Sequence, residues 1–244
     1  MTSSRTGRTS SGHAGAAGLA ALASLVADET RAGFLLALLD GRAWTAGELA
    51  RHAGVAASTA SEHLGKLVSG SLLTEERQGR HRYVRLADAR VAQLVEDLAA
   101  QVSPTAAARP RTLREAGAGS AMARGRTCYD HLAGRLGIAV TDALTGLGLL
   151  RQDTGFALTD EGVSWFEDVG IPLVRTGRRP LARACLDWTE RRPHLAGVAG
   201  AALCQHALHT GWCVRIGSER AVKVTETGEQ SLSQLLGIQA EALR

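Results

Sequence analysis

One stretch of the chain is written twice. Arg126-Thr127-Cys128-Tyr129-Asp130-His131-Leu132-Ala133-Gly134-Arg135-Leu136-Gly137 is echoed by Arg183-Ala184-Cys185-Leu186-Asp187 and then His194-Leu195-Ala196-Gly197-Val198-Ala199-Gly200, with six extra residues between the second Asp and its His. The echo continues with Gly148 against Gly211, and with Leu158-Thr159-Asp160-Glu161-Gly162 against Val224-Thr225-Glu226-Thr227-Gly228. Agreement in order and near-agreement in spacing mark a duplication, and duplicated units bury their apolar faces against each other. Each copy reads as helix, hairpin and the start of a second helix. Cys128 and His131 stand at i, i+3 and would share a helix face. The small residues Gly134, Gly137, Gly197 and Gly200 suggest two repeats packed about a pseudo-twofold axis, with His131 near His194.

The first half has another character. Residues 1–126 carry 16 basic and 11 acidic residues, a balance of +5, whereas 127–244 carry 12 and 13, a balance of −1. Six of the nine aromatic residues fall in the second half. Such a split suits a polyanion-binding part joined to a binding or packing part. The expected order is a disordered tail over 1–14, a basic polyanion-binding domain over 15–102, a linker over 103–125 and a duplicated binding or packing domain over 126–244. The fold class follows: mainly α with small β-hairpins, the second domain being α+β and built from two helix–hairpin repeats. No stretch resembles a transmembrane helix, and the four cysteines form no CxxC pair. A cytoplasmic protein with free thiols and no membrane partner is expected.

The segment from Thr45 to Leu86 carries the clearest motif. Thr45-x-x-Glu48 is a capping box that opens a short helix through His52. Ala53-Gly54-Val55 is a tight turn, and a second helix runs from about Ala57 to Ser69. Ala60, Leu64, Leu67 and Val68 form its buried face. Ser58, Thr59, Glu62 and Lys66 point outward, with Ser61 and His63 on the flanks. Short hydroxyl side chains at a helix N-terminus suit a major groove. Two strands, Thr74–Gln78 and His81–Leu86, then make a wing carrying Arg77, Gln78, Arg80, His81, Arg82 and Arg85, placed to reach phosphates or a minor groove. A helix over Ala89–Val102 follows, with Val91, Leu94, Val95 and Leu98 on one face.

The segment from Leu19 to Leu98 resembles the ArsR/SmtB family of bacterial winged-helix repressors. The resemblance is carried by Ala27-Asp28-Glu29-Thr30-Arg31, by Glu48-Leu49-Ala50, by Ser58 to Leu67 with its Ser-x-His-Leu-x-x-Leu core, and by Gly79 to Leu86. It implies a homodimer formed by the first and last helices of this domain, double-stranded operator DNA as partner, and release on sensing a ligand. By the same match Thr59, Ser61, His63 and Lys66 meet DNA, with Arg80 and Arg82 on the wing. Two departures stand out. Glu48 to Ala53 has no cysteine and Ala89 to Val102 has no histidine, so both familiar metal sites of the family are missing. The chain also runs well beyond a typical member.

The effector is therefore sought in the repeats: a small molecule, a metal or a redox signal. Cys128, His131, Cys185 and His194 are chemically suited to zinc or a similar borderline ion. They equally suit a thiol switch, with Arg126 and Arg183 lowering the thiol pKa values. They also suit a structural role, with buried cysteines and Arg–Asp pairs locking each repeat. The structural reading is preferred, because repeats preserve packing first and buried cysteine is common. Cys204-x-His206-x-x-His209-x-x-x-Cys213 follows no standard metal spacing, and Trp165, Phe166, Trp188 and Trp212 read as core. Other function classes are weaker. A protein-interaction winged helix needs neither the basic wing nor the hydroxyl-rich helix start. An enzyme would need a nucleotide fingerprint after a strand, or a third catalytic member beside Cys128 and His131, and neither is present.

Overall fold

The computed structural model describes residues 10–78, 81–102, 113–153, 155–175, 177–216 and 220–243. The chain divides into two compact units, Met1–Asp88 and Ala89–Arg244.

In the first unit, α1 (Ser10–Val26) and α2 (Glu29–Leu38) lead into the two-residue strand β1 (Trp44–Thr45). Helices α3 (Ala46–Ala53) and α4 (Ala57–Ser69) follow, then strands β2 (Leu73–Gln78) and β3 (His81–Leu86). Helix α1 starts at Ser10, not near Leu19. Gly15 and Gly18 weaken the helical pattern, but the alanines around them carry it. The expected tail is thus helical from Ser10 on, and residues 1–9 lie outside the described residues. The capping box is formed: Glu48 N donates to Thr45 Oγ1 at 3.2 Å and Thr45 N donates to Glu48 Oε2 at 2.8 Å. Gly54, at φ 70°, ends α3 in the left-handed conformation and turns the chain into α4. β1 joins the wing as a third strand, in the order β1-β3-β2, with Trp44 opposite Val84. Phe34, Leu38, Leu49, Leu64, Leu67 and Val84 are buried beneath this arrangement.

The second unit opens with α5 (Ala89–Gln101) and α6 (Leu113–Arg124). The linker expected over 103–125 is helical from Leu113, and 103–112 lie outside the described residues. The first repeat is β4 (Arg126–Cys128), β5 (His131–Ala133), α7 (Gly134–Gly146), β6 (Leu150–Arg151), β7 (Ala157–Leu158) and α8 (Asp160–Asp168). The second is β8 (Arg183–Leu186), β9 (Pro193–Ala196), α9 (Gly197–His209), β10 (Cys213–Arg215), β11 (Val222–Val224) and α10 (Glu226–Leu236), closed by a 3-10 turn at Ala240–Leu243. Each copy therefore runs hairpin, helix, hairpin, helix. Among the described residues no helix is long and apolar enough to cross a membrane.

The matched sequence positions do matched work. Thr159 and Thr225 cap α8 and α10, each accepting from a glycine N–H, Gly162 or Gly228, at 3.0 Å. Each threonine hydroxyl donates back to the carbonyl of Gly148 (2.9 Å) or Gly211 (2.6 Å), the two glycines standing at φ 72° and 74°. The repeats share one core: Leu136, Leu144, Phe166, Leu203, Trp212 and Leu232 belong to a single buried cluster.

Helix α5 buries a different face from the expected one. Ala92, Val95, Glu96 and Ala100 are buried, while Leu98 is exposed. Apolar periodicity misses this face because the partners waiting for Glu96 are charged and polar side chains, which periodicity does not register.

A Cβ at position 228 would lie 2.0 Å from the backbone oxygen of Trp212. Gly228→Ala is therefore expected to destabilise the full chain by about 1–3 kcal/mol, the usual cost of overpacking. Urea denaturation checks this, and an unchanged midpoint contradicts it.

Candidate functional site

Helix α4 presents two faces. Ala60, Leu64 and Leu67 are buried, whereas Ser58, Ser61, Glu62 and Lys66 are exposed and Thr59 is half-buried. The first turn has no side-chain cap, since Ala56 stands at the N-cap position. Ser61 Oγ donates to the Ala57 carbonyl at 2.9 Å, and Lys66 Nζ lies 2.7 Å from Glu62 Oε1. That ion pair lowers the Glu62 pKa. His63 turns inward instead. Its Nδ1 lies 3.3 Å from Arg31 Nη1 and 3.4 Å from Asp28 Oδ1, so it ties α4 to the start of α2. On the wing Arg77 and Gln78 are exposed on β2, opposite Arg82 and His81 on β3. Arg82 is paired with Glu75. Arg80 and the His81 side chain lie outside the described residues.

The second site is internal. Cys128, His131, Cys185 and His194 are all buried, and their ligand-type atoms lie within 4.8 Å of one another. Cys128 and His131 sit on strands, not on a helix as their spacing suggested. They face each other across the β4–β5 hairpin, closed by Tyr129 and Asp130, with Tyr129 at φ 51°. A two-residue hairpin turn makes neighbours of i and i+3 just as a helix does, so spacing alone could not separate the two. The second copy held the deciding signal: six residues inserted before His194 would break a helix, but only lengthen a hairpin loop. Cys185 and His194 are indeed opposite each other on β8 and β9.

The copies interlock. A Cβ at Gly137 would come 3.7 Å from the His194 Cβ, and one at Gly200 would come 3.2 Å from the His131 Cβ. Each helix thus packs next to the histidine of the other repeat, while the tightest neighbours of the two glycines are the backbone carbonyls of Leu132 and Leu195, and the imidazole centroids lie 5.0 Å apart. The two sulfurs are 3.9 Å apart. His131 Nδ1 is 3.2 Å from Asp130 Oδ1, and Arg179 holds that carboxylate through two bonds of 2.6 and 2.9 Å. Among the described residues His131 Nε2 and both ring nitrogens of His194 are buried without a hydrogen-bond partner. His194 Nδ1 stands 3.8 Å from Asp187 Oδ2, too far for a hydrogen bond.

The thiols share charge unequally. The contact with Cys185, burial and nearby Glu96 push Cys128 up, while the same contact, with His131 and His194, brings Cys185 down. Burial lowers the His131 pKa, but Asp130 and Cys185 outweigh it and hold it above the ordinary value. Cys204 and Cys213 are buried apart from this cluster and pushed up to about 12 by burial. His206 stacks edge-on against Trp212 at 4.9 Å.

A polar network that sequence reasoning missed surrounds the cluster. The Cys128 thiol donates to Glu96 Oε2 at 2.9 Å. Glu96 Oε1 accepts from Trp188 Nε1 (3.0 Å), Arg220 Nη2 (2.6 Å) and Arg126 Nε (3.2 Å). Arg126 is fully buried and also pairs with Asp187 at 2.9 Å, the aspartate of the opposite repeat. The expected equivalence of Arg126 and Arg183 fails, since Arg183 is exposed. Asp187 is buried as well, and it further accepts from Gly134 N, Thr189 N, Glu190 N and the Thr189 hydroxyl. A buried Glu96 inside a helix was the available signal: a lone acid on the inner side of an amphipathic helix needs cationic partners.

A helix-turn-helix domain family matches residues 26–76. The HTH-type transcriptional regulator YdfF of Bacillus subtilis is 40% identical over 217 residues, 88% of this chain and 95% of the relative. The HTH-type transcriptional regulator CmtR of Mycobacterium tuberculosis is 34% identical over 97 residues, 40% of this chain and 81% of the relative. Among solved structures, the homodimeric winged helix-turn-helix domain Mb0332 of Mycobacterium bovis, a possible ArsR-family regulator, is 28% identical. It covers 37% of this chain and 83% of its own, with a TM-score of 0.34.

Burial pushes the Asp187 carboxyl up, but Arg126 and the bonds from Glu190, Thr189 and Gly134 outweigh it and hold it far below the usual range. Its stabilisation is therefore complete above the ordinary carboxylate pKa of about 4 and is lost as pH falls from there toward the depressed native value. Asp187→Asn is expected to cost about 3–5 kcal/mol at neutral pH by leaving Arg126 underpaired in the interior. The variant's stability should also fall less steeply than wild type on acidification. Urea midpoints measured across pH check both, and parallel pH profiles contradict the assignment.

Proposed function

Since this chain belongs to the HTH-type transcriptional regulators and is a DNA-binding protein of the ArsR-like winged-helix kind, we propose that it is a homodimeric repressor whose operator binding answers to an effector held by the second unit. The observation that carries the DNA side is α4. Its apolar face is buried while Ser58, Ser61, Glu62 and Lys66 stand exposed beside a wing with Arg77 and Gln78 exposed. Ser58, Thr59 and Ser61 meet base edges or phosphates, and Arg77, Gln78 and Arg82 meet the backbone, a role the sequence also assigns to Arg80 and His81. His63 contributes by holding α4 in place more than by touching DNA, given its contacts to Arg31 and Asp28.

Dimerisation is supported by α1. This Ala/Leu-rich helix leaves Leu19 68% exposed, and most of its described residues are exposed. Apolar helix surface of that kind is costly to leave in water, and a second copy covers it. Leu98 and Val102 are exposed too, at the helix that the family resemblance assigns to the dimer. The effector side is supported by the buried Cys/His cluster, which touches α5 through Glu96, and α5 begins three residues after the wing strand ends.

DNA from upstream of the chain's own gene, titrated at several salt concentrations, tests the reading. Binding should depend on a palindrome and weaken steeply with salt. Arg77→Ala with Arg82→Ala should weaken all sequences alike and lower the salt slope by about one for each lost phosphate contact. Thr59→Ala should instead alter base preference, by about 1–3 kcal/mol at one position. Failure to bind any promoter fragment, or small and equal effects from both variants, contradicts the assignment.

A further inference from the structure

We propose that Cys128, His131, Cys185 and His194 hold one divalent transition-metal ion of the zinc type, one Cys/His pair coming from each repeat. The proposal deepens the effector reading of the second unit and rests on it for the ion's role in DNA binding, though not for the site itself.

Four observations carry it. The first is unmet chemistry: among the described residues three buried imidazole nitrogens at the cluster have no nitrogen or oxygen partner, and the rings face the Cys185 sulfur. A buried polar atom left unpaired is costly, and the large majority of such atoms in folded proteins are satisfied. A metal ion takes up one lone pair from each ring, here that of His131 Nε2 and that of one of the two His194 nitrogens. The second is spacing. Two sulfurs bound at about 2.3 Å to one tetrahedral zinc stand about 3.8 Å apart, and here they stand 3.9 Å apart. The third is the outer shell. In its neutral form, with Nδ1 donating to Asp130, which Arg179 fixes in turn, His131 would present Nε2 as a lone pair. This is the carboxylate–histidine arrangement that orients metal-bound imidazoles.

The fourth observation is charge. Around the cluster Glu96, Asp130 and Asp187 are matched by Arg126, Arg179 and Arg220. Two thiolates with a divalent ion add no net charge to the buried cluster inside this balanced shell, as burial requires. Donors of mixed softness, two sulfur and two nitrogen, select zinc or cobalt over calcium or magnesium. A Cys128–Cys185 disulfide fits less well. It would need the sulfurs about 2.05 Å apart, and it would leave the histidine nitrogens unpartnered. A purely structural cluster, with the Cys185 sulfur facing both rings, predicts instead a chain that takes up neither ion.

The test uses the full chain, purified reduced and stripped of metal by a chelator, then titrated with Zn(II) and separately with Co(II). One equivalent should bind per chain. The Co(II) form should show thiolate charge transfer and the intense visible bands of a tetrahedral site. Cys204→Ser and Cys213→Ser should each retain the equivalent, and Cys185→Ser should lose it. Removal of a buried ligand can unfold the second unit, so Asp130→Asn, at the half-exposed hairpin turn, provides the second variant. It should keep its circular dichroism and bind about 10–100-fold more weakly. Failure of the wild-type chain to take up either ion overturns the site, as does Co(II) binding without a thiolate band. So does a metal-free chain that only forms the Cys128–Cys185 disulfide under peroxide.

Operator affinity measured in the same samples separates the two readings. Stoichiometric uptake with unchanged DNA affinity supports the site and overturns the effector role. Absence of uptake in a chain that still binds its operator overturns the site and leaves the regulator reading standing.

Discussion

Arg126 has no exposed surface and spends its guanidinium on four partners: Glu96 on α5, the Met122 carbonyl, the Thr189 hydroxyl and Asp187 of the opposite repeat. Its charge also lies over the Trp188 ring, with the guanidinium carbon 5.3 Å from the ring centroid. A buried cation of this kind is tolerated only with excellent geometry, and losing one partner costs about 3–5 kcal/mol. The packing of the second unit follows from that constraint. Asp187 must reach across to the first repeat, where it also accepts from the Gly134 amide at the start of α7. Glu96 must enter the interior and bring α5 with it. The Cys/His cluster lies inside the frame these charges fix.

The same frame gives the cluster a mechanical outlet. Cys128 touches Glu96 and Gln93, and Cys185 touches Gln93, so α5 is in hydrogen-bond contact with both sulfurs. A bound ion would be held by Cys128 as the thiolate, which has no proton to donate to Glu96. Glu96 would keep Arg126, Arg220 and Trp188 as partners. Helix α5 begins three residues after the wing strand β3 ends.

Much of this was legible in the sequence, for local physical reasons. The capping box at Thr45, the turn at Ala53-Gly54-Val55 and the apolar spacing of Ala60, Leu64 and Leu67 are short-range signals, and all three appear as read. The duplication was legible because Gly148 and Gly211, and Thr159 and Thr225, hold the same backbone strain and the same caps. The proximity of His131 and His194 followed from the paired glycines. What escaped was the strand character of Cys128 and His131, whose spacing fits both a helix and a tight hairpin. The Arg126–Asp187 pair escaped because it crosses between repeats, so a reading by homology within each repeat pairs the wrong residues. The inward face of α5 escaped because a satisfied carboxylate looks like a solvated one until its partners are located.

The duplication brings together one buried Cys/His cluster from two half-sites. X-ray absorption at the zinc edge of the zinc-loaded full chain reads that ligand set directly. The account predicts two sulfurs at about 2.3 Å and two imidazole nitrogens at about 2.0–2.1 Å. A shell without sulfur, or one carrying only a single repeat's cysteine and histidine, would contradict it.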